Sequence, residues 1–375
     1  MRSARGSQVS GDPSNKSVAI VGGGYLGSEL AKALEGSMQV SLIERADAFT
    51  HAPAMIRALV DPSLLDRALI PYDHLLTKGR VVKGHVTGID GGGVTLSDGT
   101  RVAADYIVLA TGSGNVAPFK STTGDIAALR AANAEWHDAL VAAKSVAIVG
   151  AGAVGTELAG EIASAMPGKK VTLISGDDAL FPTLPQGLGT SLVKKLRAMG
   201  VEVIVGARAK ALPDGNTPSG GSVALTSGRE ITADLIVPAV GARLSTGPID
   251  QLPGVKHAPD GRIMTDAWMR PSSLPNVFAA GDVADNGDHM TIVGVSRQVP
   301  WLAKLLQSAA AGQSVESLKP YKPWGKAPIL VPLGPERGSS FLMIATFGDW
   351  VTRIIKGRDL FLSKYQKIFG RKAKA

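Results

Sequence analysis

Ser17-Val-Ala-Ile-Val-Gly-Gly-Gly-Tyr-Leu-Gly-Ser-Glu-Leu-Ala-Lys-Ala-Leu34 opens with an apolar run of β-forming residues and passes a glycine cluster. It then continues with apolar positions at helical spacing. A second stretch, Ser145-Val-Ala-Ile-Val-Gly-Ala-Gly-Ala-Val-Gly-Thr-Glu-Leu-Ala-Gly-Glu-Ile162, repeats the pattern. Further apolar runs follow each, at Val40 to Ile43 and at Val171 to Ile174. The order strand, turn, helix, strand, met twice, predicts two parallel βαβ units. Gly22, Gly24 and Gly27 in the first, and Gly150, Gly152 and Gly155 in the second, have the GxGxxG spacing. The first glycine of each set allows the tight turn and the second lets backbone approach a pyrophosphate. The third permits close helix–strand packing, and the helix N-terminus stabilises phosphate charge. Glu44 ends the strand 22 residues after Gly22, where a carboxylate accepts a ribose 2′-hydroxyl.

Two dinucleotide sites in one chain are the layout of a flavoenzyme reduced by a nicotinamide cofactor. Asp105 to Gly112 is an apolar strand ending in Ala110-Thr111-Gly112, and Asp234 to Gly241 is its partner after the second unit. Between each unit and its closing strand, Val86 to Arg101 and Val201 to Glu230 read as antiparallel hairpins. Asn276 to Asp285 carries Ala280-Gly281-Asp282, and Asp282 is placed to accept from a ribityl hydroxyl. The predicted fold is therefore α/β, with two Rossmann-like dinucleotide-binding domains and a C-terminal α+β domain. Residues 16–115 and 242–316 are expected to form a discontinuous FAD-binding domain, with 116–241 an NAD(P)H-binding domain. Residues 317–375 form the C-terminal domain, and 1–15 a flexible N-terminus.

Composition narrows the chemistry. Among 375 residues there are 45 glycines and no cysteine, which excludes a disulfide framework, a thiolate nucleophile and a redox-active dithiol in this chain. Six scattered histidines lack metal-ligand spacing, so no metal is expected. No apolar stretch reaches bilayer-spanning length, and the N-terminus lacks a secretory h-region. A cytoplasmic protein with peripheral membrane association is the expectation. The net charge of +8 is concentrated from Val351 to Ala375, which carries +7. A basic terminal segment on a near-neutral body suits an anionic surface better than a nucleic acid, whose partners carry basic residues over a folded face.

The glycine fingerprints, Glu44, Ala110-Thr111-Gly112, Glu157 and Ala280-Gly281-Asp282 together resemble the two-dinucleotide-binding-domain flavoprotein family, over roughly Lys16 to Gln313. That family includes apoptosis-inducing factor, type II NADH dehydrogenases, ferredoxin reductases and disulfide reductases; the missing cysteines exclude the last. Arg353 to Ser363, Ala48-Phe-Thr-His51 with Arg57, and Tyr321-Lys-Pro323 resemble the ferroptosis-suppressor branch of the apoptosis-inducing-factor class, whose members reduce ubiquinone. The resemblance implies FAD along Gly22, Gly24, Gly27, Glu44, Arg45, Val82, Ala110, Thr111, Gly112 and Asp282. NADH or NADPH would lie at Gly150, Gly152, Gly155, Ser175 and Gly241. It implies three catalytic residues: Glu157 near the nicotinamide, Lys356 near the flavin–quinone region and His51 in a loop near the isoalloxazine. The implied activity is NAD(P)H:quinone oxidoreduction, hydride passing to FAD and two electrons to a ubiquinone-type quinone, giving a lipid-antioxidant quinol. Branch members are N-myristoylated at a Gly that follows Met; here Arg2 follows Met1, so no such site is expected.

Two further expectations concern the tail and the donor. Trp350, Val351, Ile354, Ile355, Phe361, Leu362, Tyr365, Ile368 and Phe369 recur at helical steps among basic residues, a pattern that lies flat on an anionic membrane. The alternative is a core-packing final helix with a solvated charged face. Ser175 has no carboxylate for a 2′-hydroxyl, and Asp177 and Asp178 would repel a 2′-phosphate, a slight lean towards NADH. Rival readings are a reductase of a small electron-transfer protein such as ferredoxin or rubredoxin, and a DNA-binding flavoprotein like apoptosis-inducing factor.

Overall fold

The computed structural model describes residues 15–114, 118–121, 123–241 and 243–371. The expected flexible N-terminus, apart from Asn15, and Lys372 and Lys374 of the basic tail lie outside the described residues. The chain divides into two compact units. The first takes the described residues up to Arg45, with Tyr72–Ser113 and Leu244–Gly325; the second takes Ala46–Pro71, Gly114–Arg243 and the described residues from Lys326 on.

The first unit holds a five-stranded sheet in the order Val277–Ala279, Tyr106–Leu109, Ser17–Val21, Gln39–Glu44, Arg80–Lys83, with every pairing parallel. Its inner strands are mostly Val, Ile, Leu and Ala because helices cover parallel sheets and both faces are buried, while the edge strand Arg80–Lys83 stays partly exposed. Val21 pairs with Ile43 and Leu109, and Leu109 with Ala279. Gly22, Glu44, Ala110 and Ala280 therefore line one carboxyl edge, where ligands bind in such sheets. Val86–Asp90, Gly93–Leu96 and Arg101–Ala103 form the expected hairpins as a three-stranded antiparallel sheet.

The second unit repeats the sheet, in the order Glu202–Ile204, Lys170–Ile174, Ser145–Val149, Glu230–Pro238, Ser219–Ala224. Only the last strand is antiparallel. Here the hairpin expectation for Val201 to Glu230 needs correction. Glu202–Ile204 joins the main sheet as a parallel edge strand, because Val203 pairs with Leu173 and buries against the core. Only Ser219–Ala224 and the strand after it make a hairpin.

The compact units also part from the expected domain limits. Ala46–Pro71 belongs with the second unit: the helix Ala52–Ala58 packs on the helix Ala153–Ala165, and Ile56 and Leu59 share its core. Residues after Lys326 are not a separate body. The antiparallel strands Ile329–Leu333, Arg337–Phe341 and Thr346–Phe347 place Val331, Leu333 and Phe341 in that same core. Leu333 comes so close to the Ala153–Ala165 helix that a Cβ at Gly160 would collide with its backbone.

The tail is not one amphipathic helix. A short helix Asp349–Thr352 runs into a π-turn Arg353–Gly357, then Leu360 and Phe361 adopt left-handed φ of 54° and 64° before the helix Leu362–Ile368. Those reversals turn Leu360, Leu362, Tyr365 and Phe369 inward. Phe49 stacks on Tyr365 at 5.5 Å and meets Phe369 at 4.8 Å. The flat membrane helix is thus corrected for this half of the tail. Burying each of these side chains is worth about 1.5–3 kcal/mol, more than an exposed basic face returns. What stays exposed is Met343, Ile344, Trp350, Ile354 and Ile355. Among the described residues no helix is long and apolar enough to cross a membrane.

His51 fastens this packing: its Nε2 lies 2.6 Å from the Leu360 carbonyl, which fixes Nε2 as the donor, and its ring meets Tyr365 at 5.0 Å. Burial, with Lys356 and Lys364 adding to it, pushes the imidazole down to about 4 from its ordinary value of 6.5. The unfolded chain therefore takes up a proton between pH 6.5 and 4 that the folded chain refuses. Stability is full above the unfolded value and falls as pH drops towards 4, by about 3 kcal/mol from this group. Urea unfolding from pH 7 to 4.5 is expected to show a steeper loss in the parent than in His51→Gln, which keeps a donor without the titration. Equal slopes would refute the assignment.

Candidate functional site

The first unit carries one glycine loop; the second carries another glycine loop and a buried cluster of charges. In the first loop Gly22 has φ +104°, and a Cβ there would strike the Ala110 carbonyl. A Cβ at Gly27 would strike the Gly22 carbonyl, so the helix Tyr25–Leu34 can lie on the turn only if residue 27 is glycine. A Cβ at Gly24 would meet nothing within 4 Å. Gly24 also heads the helix, and no side chain caps it. The second loop repeats each relation: Gly150 at φ +111° against the Ala239 carbonyl, Gly155 against the Gly150 carbonyl, and Gly152 open. Both loops fit a pyrophosphate laid on a helix N-terminus.

The loops differ in how tightly they are held. The Gly23 amide donates to Glu44 Oε2 at 2.6 Å, while its carbonyl accepts from Ser28 Oγ at 2.7 Å and Tyr72 Oη at 2.8 Å. Tyr72 lies so close that a Cβ at residue 23 would be 2.7 Å from its hydroxyl. In the second loop the equivalent residue is Ala151, held by Thr156 Oγ1 at 3.1 Å, and Ser175 stands where Glu44 stands in the first.

The other expected FAD residues gather on the first sheet's edge. Arg45 follows Glu44, and Val82 pairs with Ile43 in the neighbouring strand. Thr111 Oγ1 donates to the Ser245 carbonyl at 2.7 Å, Gly112 takes φ +65°, and Asp282 accepts from Ser113 Oγ at 2.8 Å. The Gly281 amide donates to Gln298 Oε1 at 2.8 Å. Gln298 in turn donates to Asp288, which accepts from Tyr321. This relay orients the Gly281-Asp282 turn, and nothing in the sequence spacing marked Gln298 or Asp288. In the second unit Gly241 has φ +68°.

Glu157 and Lys356, 199 residues apart, meet at 2.6 Å between Oε1 and Nζ. Lys356 also donates to the Leu330 carbonyl at 3.1 Å. One turn along the helix, Glu161 receives Arg57 through Nε at 3.0 Å and Nη2 at 2.9 Å, and Arg57 reaches the Gly357 carbonyl at 2.7 Å. All four side chains are buried. Burial raises both carboxyls above their ordinary value, opposed by Lys356 at Glu157 and by Arg57 at Glu161. Sequence reading singled out Glu157 and Lys356 but not as partners, and passed over Glu161. Its i, i+4 spacing from Glu157 on a fingerprint helix was the available signal. His51 is outside this cluster. Where a loop histidine beside a ring was expected, the structure has a core side chain with no exposed surface.

Two expectations follow from this geometry. Lys356→Met strands a buried carboxylate and should cost about 3–5 kcal/mol in urea unfolding, while adding Glu157→Gln should recover at least about 1 kcal/mol; strict additivity would show that the two do not act as a pair. Tyr72→Phe removes one of the hydrogen bonds on Gly23 and should weaken FAD retention about fivefold. This can be followed by fluorescence of released flavin on dilution, and unchanged retention would argue against the role.

The geometry agrees with what the chain is similar to. Models of the pyridine nucleotide-disulphide oxidoreductase family match residues 17–69 and 73–304. Apoptosis-inducing factor homolog B of Dictyostelium discoideum is 31% identical, over 93% of this chain and 96% of its own. Ferroptosis suppressor protein 1 of Homo sapiens is 28% identical, over 96% and 97%. Among solved structures, putidaredoxin reductase in covalent complex with putidaredoxin superposes with a TM-score of 0.66 at 19% identity. That match covers 87% of this chain and 81% of the other, and it speaks to the fold alone. With a glycine cradle on each of two five-stranded sheets and family models spanning both, the chain belongs to the pyridine nucleotide-disulphide oxidoreductase family, which works with FAD and an NAD(P)H electron donor.

Proposed function

We propose that this oxidoreductase is an NAD(P)H:quinone reductase that works at a membrane surface. The observation that carries the reading is the five-residue turn Arg353–Gly357. It turns Ile354 and Ile355 out to solvent, 57% and 40% exposed, and buries the next residue, Lys356, against Glu157. One short segment thus offers an apolar face to an apolar acceptor and keeps a proton-bearing pair directly behind it. The absence of cysteine from the chain supports the same reading, since a family member without thiols needs an acceptor other than a protein disulfide.

FAD, once bound, supplies hydride acceptance from the reduced nicotinamide and delivery of two electrons, so that NAD(P)H, a proton and quinone give NAD(P)+ and quinol. The protein's part is to bind, orient and manage that proton. Helix-head amides at Gly24 and Gly152 hold pyrophosphates, Glu44 serves the first ribose and Asp282 the ribityl chain. Lys356 holds a proton at Nζ beside Glu157, whose carboxyl, raised by burial, is fitted to give and take it. Arg57 occupies Glu161, so Glu157 is the carboxylate that Lys356 bonds. Docking falls to Met343, Ile344, Trp350, Ile354 and Ile355, of which Ile344 is 89% and Trp350 73% exposed. Arg353 and Arg358 flank Ile354 and Ile355 in the chain, and Glu336 lies within 2.8 Å of the first and 4.0 Å of the second, so the apolar side chains carry the docking more than the charges do.

The direct test is anaerobic. Flavin bleached by NADH or NADPH is expected to regain its colour on adding a short-chain ubiquinone; return of colour only with ferredoxin or rubredoxin would overturn the quinone reading. Lys356→Met should lower kcat about a hundredfold, with a flattened pH profile, if it holds the proton. Membrane docking has its own measurement. Co-sedimentation with phosphatidylserine vesicles should fall at least about tenfold in Trp350→Ser/Ile354→Ser, given about 1.5–3 kcal/mol for each buried apolar side chain. Unchanged sedimentation would exclude this face.

A further inference from the structure

The end of the Lys170–Ile174 strand reads the nicotinamide donor's adenine ribose, because in such folds the residue there faces the 2′ position. Ser175 holds that place and is buried, its Oγ accepting from the Asp177 amide at 3.2 Å. It brings no carboxylate. Gly176 follows, and a Cβ on it would lie 2.7 Å from Cγ and 3.2 Å from Nε of Arg208. The Arg208 side chain therefore runs directly across Gly176. Its backbone is fixed from both sides by Thr226, whose Oγ1 accepts the Arg208 amide at 3.0 Å and whose own amide donates to the Arg208 carbonyl at 2.8 Å. The side chain beyond that anchor is 73% exposed, and its guanidinium faces Asp177 loosely, at 3.7 Å.

The two aspartates that argue for NADH in the linear sequence are placed differently in space. Asp178 turns its carboxylate against Gly206, where a Cβ would be 2.8 Å from Oδ1. Asp177 faces the arginine. An exposed pair at this separation is weak, and a dianionic phosphate, which a guanidinium grips with two parallel hydrogen bonds, displaces it readily.

We propose that Arg208 is the specificity-determining residue of the donor site: it exchanges Asp177 for the 2′-phosphate of NADPH, so that the enzyme uses NADPH as well as NADH. The proposal rests on the second glycine loop being the donor site. The test uses flavin-loaded, full-length protein and isothermal titration with 2′,5′-ADP and with 5′-ADP. Arg208→Ala should weaken 2′,5′-ADP about tenfold or more and leave 5′-ADP within about twofold, with KM for NADPH rising in step and KM for NADH unmoved. Arg208→Lys, which keeps charge without the fork, should fall between, and Asp177→Asn should tighten 2′,5′-ADP. Parallel changes for both nucleotides, or none for either, overturn the role of Arg208 while leaving the second loop as the donor site. Failure of the parent protein to bind either nucleotide overturns the donor-site reading along with it.

Discussion

A carbonyl oxygen that leaves no room for a side chain governs this molecule twice. At Gly22 and again at Gly150 the peptide oxygen lies where a Cβ on Gly27 or Gly155 would have to be. That closeness lets a helix start directly from the end of a strand, its first amides at the carboxyl edge of the sheet and without side-chain caps. The helix head that it sets beside the edge lined by Gly22, Glu44, Ala110 and Ala280 is of the kind that suits a pyrophosphate. A methyl group at either third glycine would push the helix away and undo the cradle.

The two cradles share a frame but are finished differently. Around Gly23 two hydroxyls and a carboxylate fix the amide and the carbonyl of one residue, whereas Ala151 has one hydroxyl bond and Ser175 in place of a carboxylate. A loop fixed in advance loses less freedom on binding and holds its ligand longer. That difference suits a resident flavin at the first loop and a visiting donor at the second.

Within the second unit, the buried quartet Arg57, Glu157, Glu161 and Lys356 joins three stretches of chain far apart in sequence. Buried charges contribute little net stability when paired and are severely destabilising when one partner is lost. Their value here lies in position. They bring Ala52–Ala58, the fingerprint helix and the Arg353–Gly357 turn together, and they set an ammonium beside a carboxyl whose proton affinity burial has raised.

Local sequence determined a good deal. The two βαβ units, their helix starts and the close approach at Gly27 and Gly155 were legible, because each depends on residues within about thirty positions of one another. The edge residue Glu44 could be named for the same reason, whereas Thr111 came from the resemblance and meets Ser245 only in the folded chain. The tail, the cluster and the meeting of Arg208 with Gly176 could not be read in this way. Amphipathic spacing from Trp350 to Phe369 is the same whether a helix faces lipid or core. Only the left-handed backbone at Leu360 and Phe361, with Phe49 and His51 waiting from the other end of the chain, turned Tyr365 and Phe369 inward. Likewise Glu157 waited for Lys356, and Gly176 for Arg208 32 residues on. Hydrophobic period and glycine spacing are local quantities fixed by covalent geometry; which charge meets which is decided by chain crossings, and those exist only once the core has closed.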